Sequence, residues 1–152
     1  MVKKKPHCYE FPRPAVTVDL VLISNEHRPR VLLIQRKHSP FAGKWAFPGG
    51  FVEENEPLEA AARRELQEET GLKVKHLEQL HAFGDPGRDP RGWTVTVAFR
   101  GTVDPAKVKP MADDDAAAAA WHFADAPPPL AFDHAKILKM ARRKPATDET
   151  RR

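Results

Sequence analysis

Apolar and polar positions alternate from Ala15 to Ser24. Val16, Val18, Leu20 and Leu22 fall on one face, and Thr17, Asp19, Val21 and Ile23 on the other. A period of two predicts a strand. Residues 25–29 break it as a turn. Val31, Leu32, Leu33 and Ile34 predict a second strand over Arg30–Arg36, with a hairpin as the economical connection. Residues 37–50 read as loop, with Pro40, Gly43, Pro48 and the pair Gly49-Gly50. The period then lengthens. Leu58, Ala62 and Leu66, four apart, predict a helix over about 57–70, with Asn55 or Glu56 as its cap, Pro57 in its first turn and Gly71 as its stop. Alternation returns at 93–100, where Val95, Val97 and Phe99 oppose Thr94, Thr96 and Ala98. Strands over 73–83 and 117–123 complete the set, and Asp133 is placed to cap a last helix over 134–143.

No internal repeat and no long linker divides this pattern. Strands on both sides of a central helix place the chain in the α/β class. It reads as one domain over 15–143, with an extended proline-rich leader at 1–14 and a disordered tail at 144–152. Composition agrees. Of the 152 residues 41% are hydrophobic, enough for a buried core, and 15 prolines argue against a helical bundle. No apolar run reaches the roughly 18 residues of a membrane span, and the leader lacks the apolar stretch of a signal peptide. The single cysteine, Cys8, excludes an intrachain disulfide and points to the cytoplasm. The net charge of +4 gathers at the ends, in Lys3, Lys4 and Lys5 and in Arg142, Arg143, Lys144, Arg151 and Arg152. Charged ends are ordinarily solvated tails, so neither a nucleic-acid nor a membrane partner is expected.

Glu65, Glu68 and Glu69 stand at i, i+3 and i+4 and share one side of the predicted helix. Like charges at that spacing repel by about 0.2–0.5 kcal/mol per pair. They also crowd the last turn before Gly71, where the helix dipole favours cations by about 0.3–1 kcal/mol. Their arc overlaps the Leu58/Ala62/Leu66 stripe, so they lean toward packed protein. Broken local rules concentrate at functional sites, and a hard divalent cation would relieve the conflict. Taken alone, three glutamates beside Arg63 and Arg64 better suit a solvated acidic face.

The wider spacing decides between these. Gly50 is followed after five residues by Glu56, and after seven more by Arg64-Glu65-Leu66. One residue later comes Glu68-Glu69, and one further on Gly71-Leu72. This run resembles the Nudix box at every fixed position. The resemblance implies a Nudix-type α/β/α sandwich with a central mixed sheet, and hydrolysis of a nucleoside diphosphate derivative. It implies metal ligation by Glu65, Glu68 and Glu69 with the Gly49 carbonyl, the ion being Mg²⁺ or, alternatively, Mn²⁺. Glu65, Glu68 and Arg64 are then the catalytic set, with Arg64 orienting the carboxylates. Gly50, Glu56 and Gly71 are structural, Glu56 being paired with Arg64. The proton acceptor is left open between Glu65 or Glu68 and Asp113, Asp114 or Asp115.

The substrate is read from other segments. Residues 84–93, Gly-Asp-Pro-Gly-Arg-Asp-Pro-Arg-Gly-Trp, are stiffened by proline and present Arg88, Asp89 and Arg91, groups for a diphosphate and for ribose hydroxyls. This loop, with stretches 11–19 and 130–134, resembles bacterial and archaeal ADP-ribose pyrophosphatases. ADP-ribose is therefore the expected substrate, giving AMP and ribose 5-phosphate. Arg36 is a further candidate phosphate contact. Trp45 and Trp93 are candidates for stacking on adenine, although core or rim packing suits them as well. His134 is read as a first-turn helix residue. The alternatives are clean-up of damaged nucleoside triphosphates, hydrolysis of another nucleotide sugar, and a non-enzymatic ADP-ribose-sensing regulatory domain. The intact carboxylates, and a chain expected to hold nothing after the final strand and helix that could serve as a DNA-binding module, favour catalysis over sensing. A homodimer is expected from the resemblance, with residues 6–14 a candidate for exchange between subunits.

Overall fold

The computed structural model describes residues 5–111 and 116–143. Its elements in chain order are β1 (Ala15–Ser24), β2 (Arg30–Arg36), β3 (Trp45–Ala46), β4 (Gly49–Phe51), α1 (Leu58–Thr70), β5 (Glu78–Phe83), β6 (Thr94–Val103), β7 (Ala116–Phe123) and α2 (His134–Arg143). The strands form one mixed sheet in the order β3-β2-β1-β6-β5, with β4 also on β1 and β7 also on β2. Only β1 and β6 run parallel among the paired strands described.

The alternation of β1 sorts its side chains between two helices. Val18, Leu20 and Leu22 pack with Leu32 and Phe99 against Ala61, Ala62 and Leu66 of α1. Val21 and Ile23 pack with Val31, Leu33 and Ala98 against Ile137, Leu138 and Ala141 of α2. A sheet covered on both faces makes the α/β/α sandwich that the sequence implied.

Four local expectations change. The β1–β2 hairpin closes at the single pair Ile23↔Val31, while β1 runs in full register beside β6 from Ala15↔Thr94 to Ser24↔Val103. The stretch 37–50 is not all loop. β4 lies antiparallel to β1 at Thr17↔Phe51, Val18↔Gly50 and Asp19↔Gly49, so the two glycines stand beside the strand where it parts from β2. Neither Asn55 nor Glu56 caps α1. Pro57 holds the cap position with extended backbone and no side-chain bond, because the Glu56 carboxylate is turned to Arg64. Finally, β5 begins at Glu78 instead of residue 73. The Arg63 guanidinium takes the carbonyls of Val74 and Lys75, acceptors that a strand ladder would otherwise use.

Other boundaries agree. α1 ends at Gly71 in left-handed backbone, φ +74°, its N–H bonding the Gln67 carbonyl. α2 spans 134–143, and the Asp133 carbonyl receives the Lys136 and Ile137 amides, while its carboxylate goes elsewhere. Described leader residues 5–14 form no helix or strand. The expected tail at 144–152 lies outside the described residues.

Candidate active site

β4 is pressed between α1 and β1, and each neighbour needs one glycine, α1 needing Gly50 and β1 needing Gly49. The Gly49 N–H donates to Glu69 Oε2 at 2.8 Å. A Cβ on Gly50 would stand 2.6 Å from Glu65 Oε1, and one on Gly49 would overlap the Val18 carbonyl. Only a residue without Cβ brings the strand backbone this near to the carboxylates.

Arg64 hydrogen-bonds three acids, with Glu53 a fourth at 3.9 Å. Its Nε and Nη2 donate to the two oxygens of Glu56, at 2.7 and 2.9 Å, and Nη1 donates to Glu65 Oε1 at 2.8 Å and to Glu68 Oε2 at 3.1 Å. The bond to Arg64 draws the Glu56 carboxyl down to about 2, and the guanidinium is raised in turn. Glu65 moves the other way. Burial raises it, Arg64 opposes this only in part, and repulsion from Glu68 and Glu56 adds to the rise. Glu68 is the outlying member, its side chain 58% exposed.

The donor set is entirely oxygen, as a hard divalent cation requires. The last turn of α1 has no basic residue to balance it. As placed, Glu65 and Glu68 accept from Arg64, and Glu69 accepts from Gly49. No three His, Cys, Asp or Glu side chains among the described residues stand ready to hold an ion between them. The chemistry and the glycine cradle fit such a cation, and its binding would draw the carboxylates off Arg64.

One cleft of about 1140 Å³ joins these carboxylates to a group of arginines. Gly49, Gly50, Glu65 and Glu69 line it together with Arg36, Arg88, Asp89 and Arg91; Glu68 is outside the lining. Arg88 is tied down, its Nε and Nη2 bonding both oxygens of Asp133 and its side chain only 5% exposed. It thereby fastens the 84–93 loop to the start of α2. Arg91 forks onto the buried Asp89. Burial raises the Asp89 carboxyl, but the bonds from Arg91 prevail and hold it below the ordinary value. Arg36 gives its Nε to the Pro40 carbonyl at 2.7 Å and has no carboxylate within ion-pair distance among the described residues. Burial, and then Arg91, lower it.

Several site residues escaped the sequence reading. Asp19, 8% exposed, lies on the cleft floor and accepts from Thr96 Oγ1 at 2.6 Å. Burial alone would raise its carboxyl, but His134, Thr96 and Arg88 together hold it low. His134 stands in the first turn of α2, as read from the sequence, and is buried. Its Nδ1 accepts the Phe47 N–H at 3.1 Å, so its ring proton sits on Nε2, which faces Asp19 Oδ1 at 3.4 Å. A carboxylate on a strand was the available signal for Asp19, and both residues lie in the stretches 11–19 and 130–134 that carry the resemblance, which gave neither a role. The aromatic rings lining the cleft belong to Phe47, Phe51 and Phe132. Trp45 and Trp93 do not line it; Trp45 packs edge-on against His122 at 4.3 Å. Asp113, Asp114 and Asp115 lie outside the described residues.

The NUDIX domain model matches residues 13–141. The chain belongs to the NUDIX family. It is 44% identical over 126 residues to the ADP-ribose pyrophosphatase of Methanocaldococcus jannaschii, a match covering 83% of this chain and 72% of that protein. These matches make it a Nudix hydrolase acting on a diphosphate bond. Among solved structures it is similar to a MutT/nudix family protein from Enterococcus faecalis, at TM-score 0.79 and 37% identity, covering 90% of this chain and 63% of that one. It is also similar to the NUDIX domain of Shewanella oneidensis NrtR complexed with ADP ribose, at TM-score 0.77 and 34% identity, covering 87% and 88%. No helix among the described residues of this Nudix chain is long and apolar enough to cross a membrane.

Proposed function

We propose that this Nudix chain hydrolyses ADP-ribose to AMP and ribose 5-phosphate with Mg²⁺, Mn²⁺ being an alternative ion. The observation that carries the reading is one cleft lined by both the box glutamates Glu65 and Glu69 and the arginines Arg36, Arg88 and Arg91. Its volume suits a ligand of dinucleotide size. The archaeal relative named for this activity, and the similar domain solved with ADP ribose, support the same substrate.

In this proposal Glu65, Glu68 and Glu69, with the Gly49 carbonyl, hold the ion. When bound, the ion neutralises diphosphate charge and acidifies a water. Arg36 and Arg91 receive phosphate oxygens in the cleft, and Asp89 keeps Arg91 aimed there. Arg88 braces the loop through Asp133 and adds its charge to the cleft. Glu65, which lines the cleft and is held by Arg64, accepts the proton of the attacking water. Arg64 holds that carboxylate in orientation through Glu65 Oε1. Gly50, Glu56 and Gly71 serve the geometry of α1 and β4. A homodimer in the cytoplasm, with residues 6–14 exchanged between subunits, completes the proposal.

The similar NrtR domain favours one second reading, in which the cleft senses ADP-ribose without cleaving it. Kinetics of two variants separate the readings. Glu69→Gln is expected to cut kcat by more than the roughly 10–100-fold that an outer contact to a metal is worth. Arg91→Ala is expected to raise KM, each charged hydrogen bond lost being worth about 1.5–3 kcal/mol. Full activity in both variants overturns the catalytic assignment. Binding of ADP-ribose without turnover favours sensing.

A further inference from the structure

Phe41 and Phe132 both have left-handed backbone, φ +60° and +50°. For bulky side chains this conformation is unfavourable and marks a constrained position. The two rings meet edge-on with centroids 4.9 Å apart. Phe132 also lines the cleft, and there its ring meets two cations. The Arg36 guanidinium carbon lies 5.0 Å from its centroid and that of Arg91 5.4 Å. Arg91 is 5.0 Å from the Phe51 ring as well.

Three unfavourable features therefore meet at one point. The Phe132 backbone is strained, two guanidinium groups share a ring, and burial and Arg91 weigh on Arg36 more than the charges of Glu69 and Asp89 offset. Packing gives an incomplete reason, because Phe132 is only half-buried against the small cluster of Ile34, Ala46 and Ala131. An anion between the two arginines would offset their repulsion and use both planar forks.

We propose that Phe132 is a specificity-determining residue. Its ring positions Arg36 and Arg91 as a paired clamp for the phosphate of the diphosphate that lies away from Glu65 and Glu69. This rests on the reading of the cleft as a diphosphate site, and it adds what the arginines alone do not explain. The aromatic face fixes the planes and separation of the two guanidinium groups, so an extended diphosphate is selected over a single phosphate.

The test is calorimetric titration of the metal-free full chain with inorganic pyrophosphate in EDTA, which reads the clamp without the metal. Phe132→Asn is the main variant, because asparagine tolerates left-handed backbone and removes only the ring. It is expected to weaken pyrophosphate binding about fivefold. Phe132→Tyr, which keeps the aromatic face, is expected to restore it, and Arg36→Lys, which keeps charge without a stacking plane, to weaken it. Glu69→Gln is expected not to weaken it. With metal and substrate present, Phe132→Asn should raise KM and leave kcat nearly unchanged, whereas general loosening of the fold would lower kcat too. Equal pyrophosphate affinity in wild type and Phe132→Asn overturns the clamp, as does absence of metal-free binding. Failure of every nucleoside diphosphate derivative to be hydrolysed would instead overturn the catalytic reading, and the titration would still judge the clamp.

Discussion

Glu56 and Glu65 bond the same arginine and respond in opposite directions. Glu56 takes two nitrogens of Arg64 and is drawn to about 2, whereas Glu65 takes one and is raised by burial. For Glu56 the ordinary value is 4.5 and the folded value about 2, so its contribution is complete above 4.5 and is lost as pH falls toward 2. Glu56→Gln is therefore expected to lower the melting temperature above pH 4.5, with the gap to wild type closing as pH approaches 2. Thermal melts from pH 7 to 2 check this; a gap constant with pH contradicts the ion pair as its source. The spacing of Glu56 and Arg64 was legible in the sequence, because a motif fixed it. The pairing of Asp19 and His134 was not, because they lie on separate elements and meet only through the sheet. The first-turn position of His134 was legible, but not the buried Phe47 amide that its Nδ1 satisfies.

Among the elements, α1 carries most of what the sequence announced. Its four-residue stripe is the surface buried against β1, β2 and β6, and Gly71 stops it with φ +74°. The box glycines Gly50, in β4, and Gly71, at the end of α1, serve different purposes, which makes a paired test. Ala at Gly71 meets no atom within 4 Å, so Gly71→Ala suffers only from its backbone, by about 1–2 kcal/mol, with kcat unchanged. Ala at Gly50 would press on the Glu65 carboxylate, a movable side chain, so Gly50→Ala should lower kcat sharply with little change in melting temperature. Denaturant melts and kcat on both variants check the contrast; the reverse pattern contradicts it. Pairing was less legible than the elements themselves. Local alternation identifies β1 but does not show that its long partner is the parallel β6, about 80 residues away, and a two-residue strand such as β3 is too short to show a period.

At the scale of the whole molecule, the split between β1 and β2 turns a sheet into a cleft. β4 enters where the hairpin fails to close, bringing Gly49 and Gly50 under α1, while the 84–93 loop, fastened to the start of α2 through Asp133, adds Arg88 to the lining. The glutamates were legible as a motif and the arginine loop as a composition, but their sharing one cleft needed the fold. Substrate choice is the central claim that this geometry makes. The direct measurement is kcat/KM with saturating Mg²⁺ across ADP-ribose, NADH, diadenosine polyphosphates, nucleotide sugars and 8-oxo-dGTP, with products separated by chromatography. ADP-ribose is predicted to give the highest value, releasing AMP and ribose 5-phosphate in equal amounts; a higher value for the nucleoside triphosphate, or no cleavage of ADP-ribose, would contradict it.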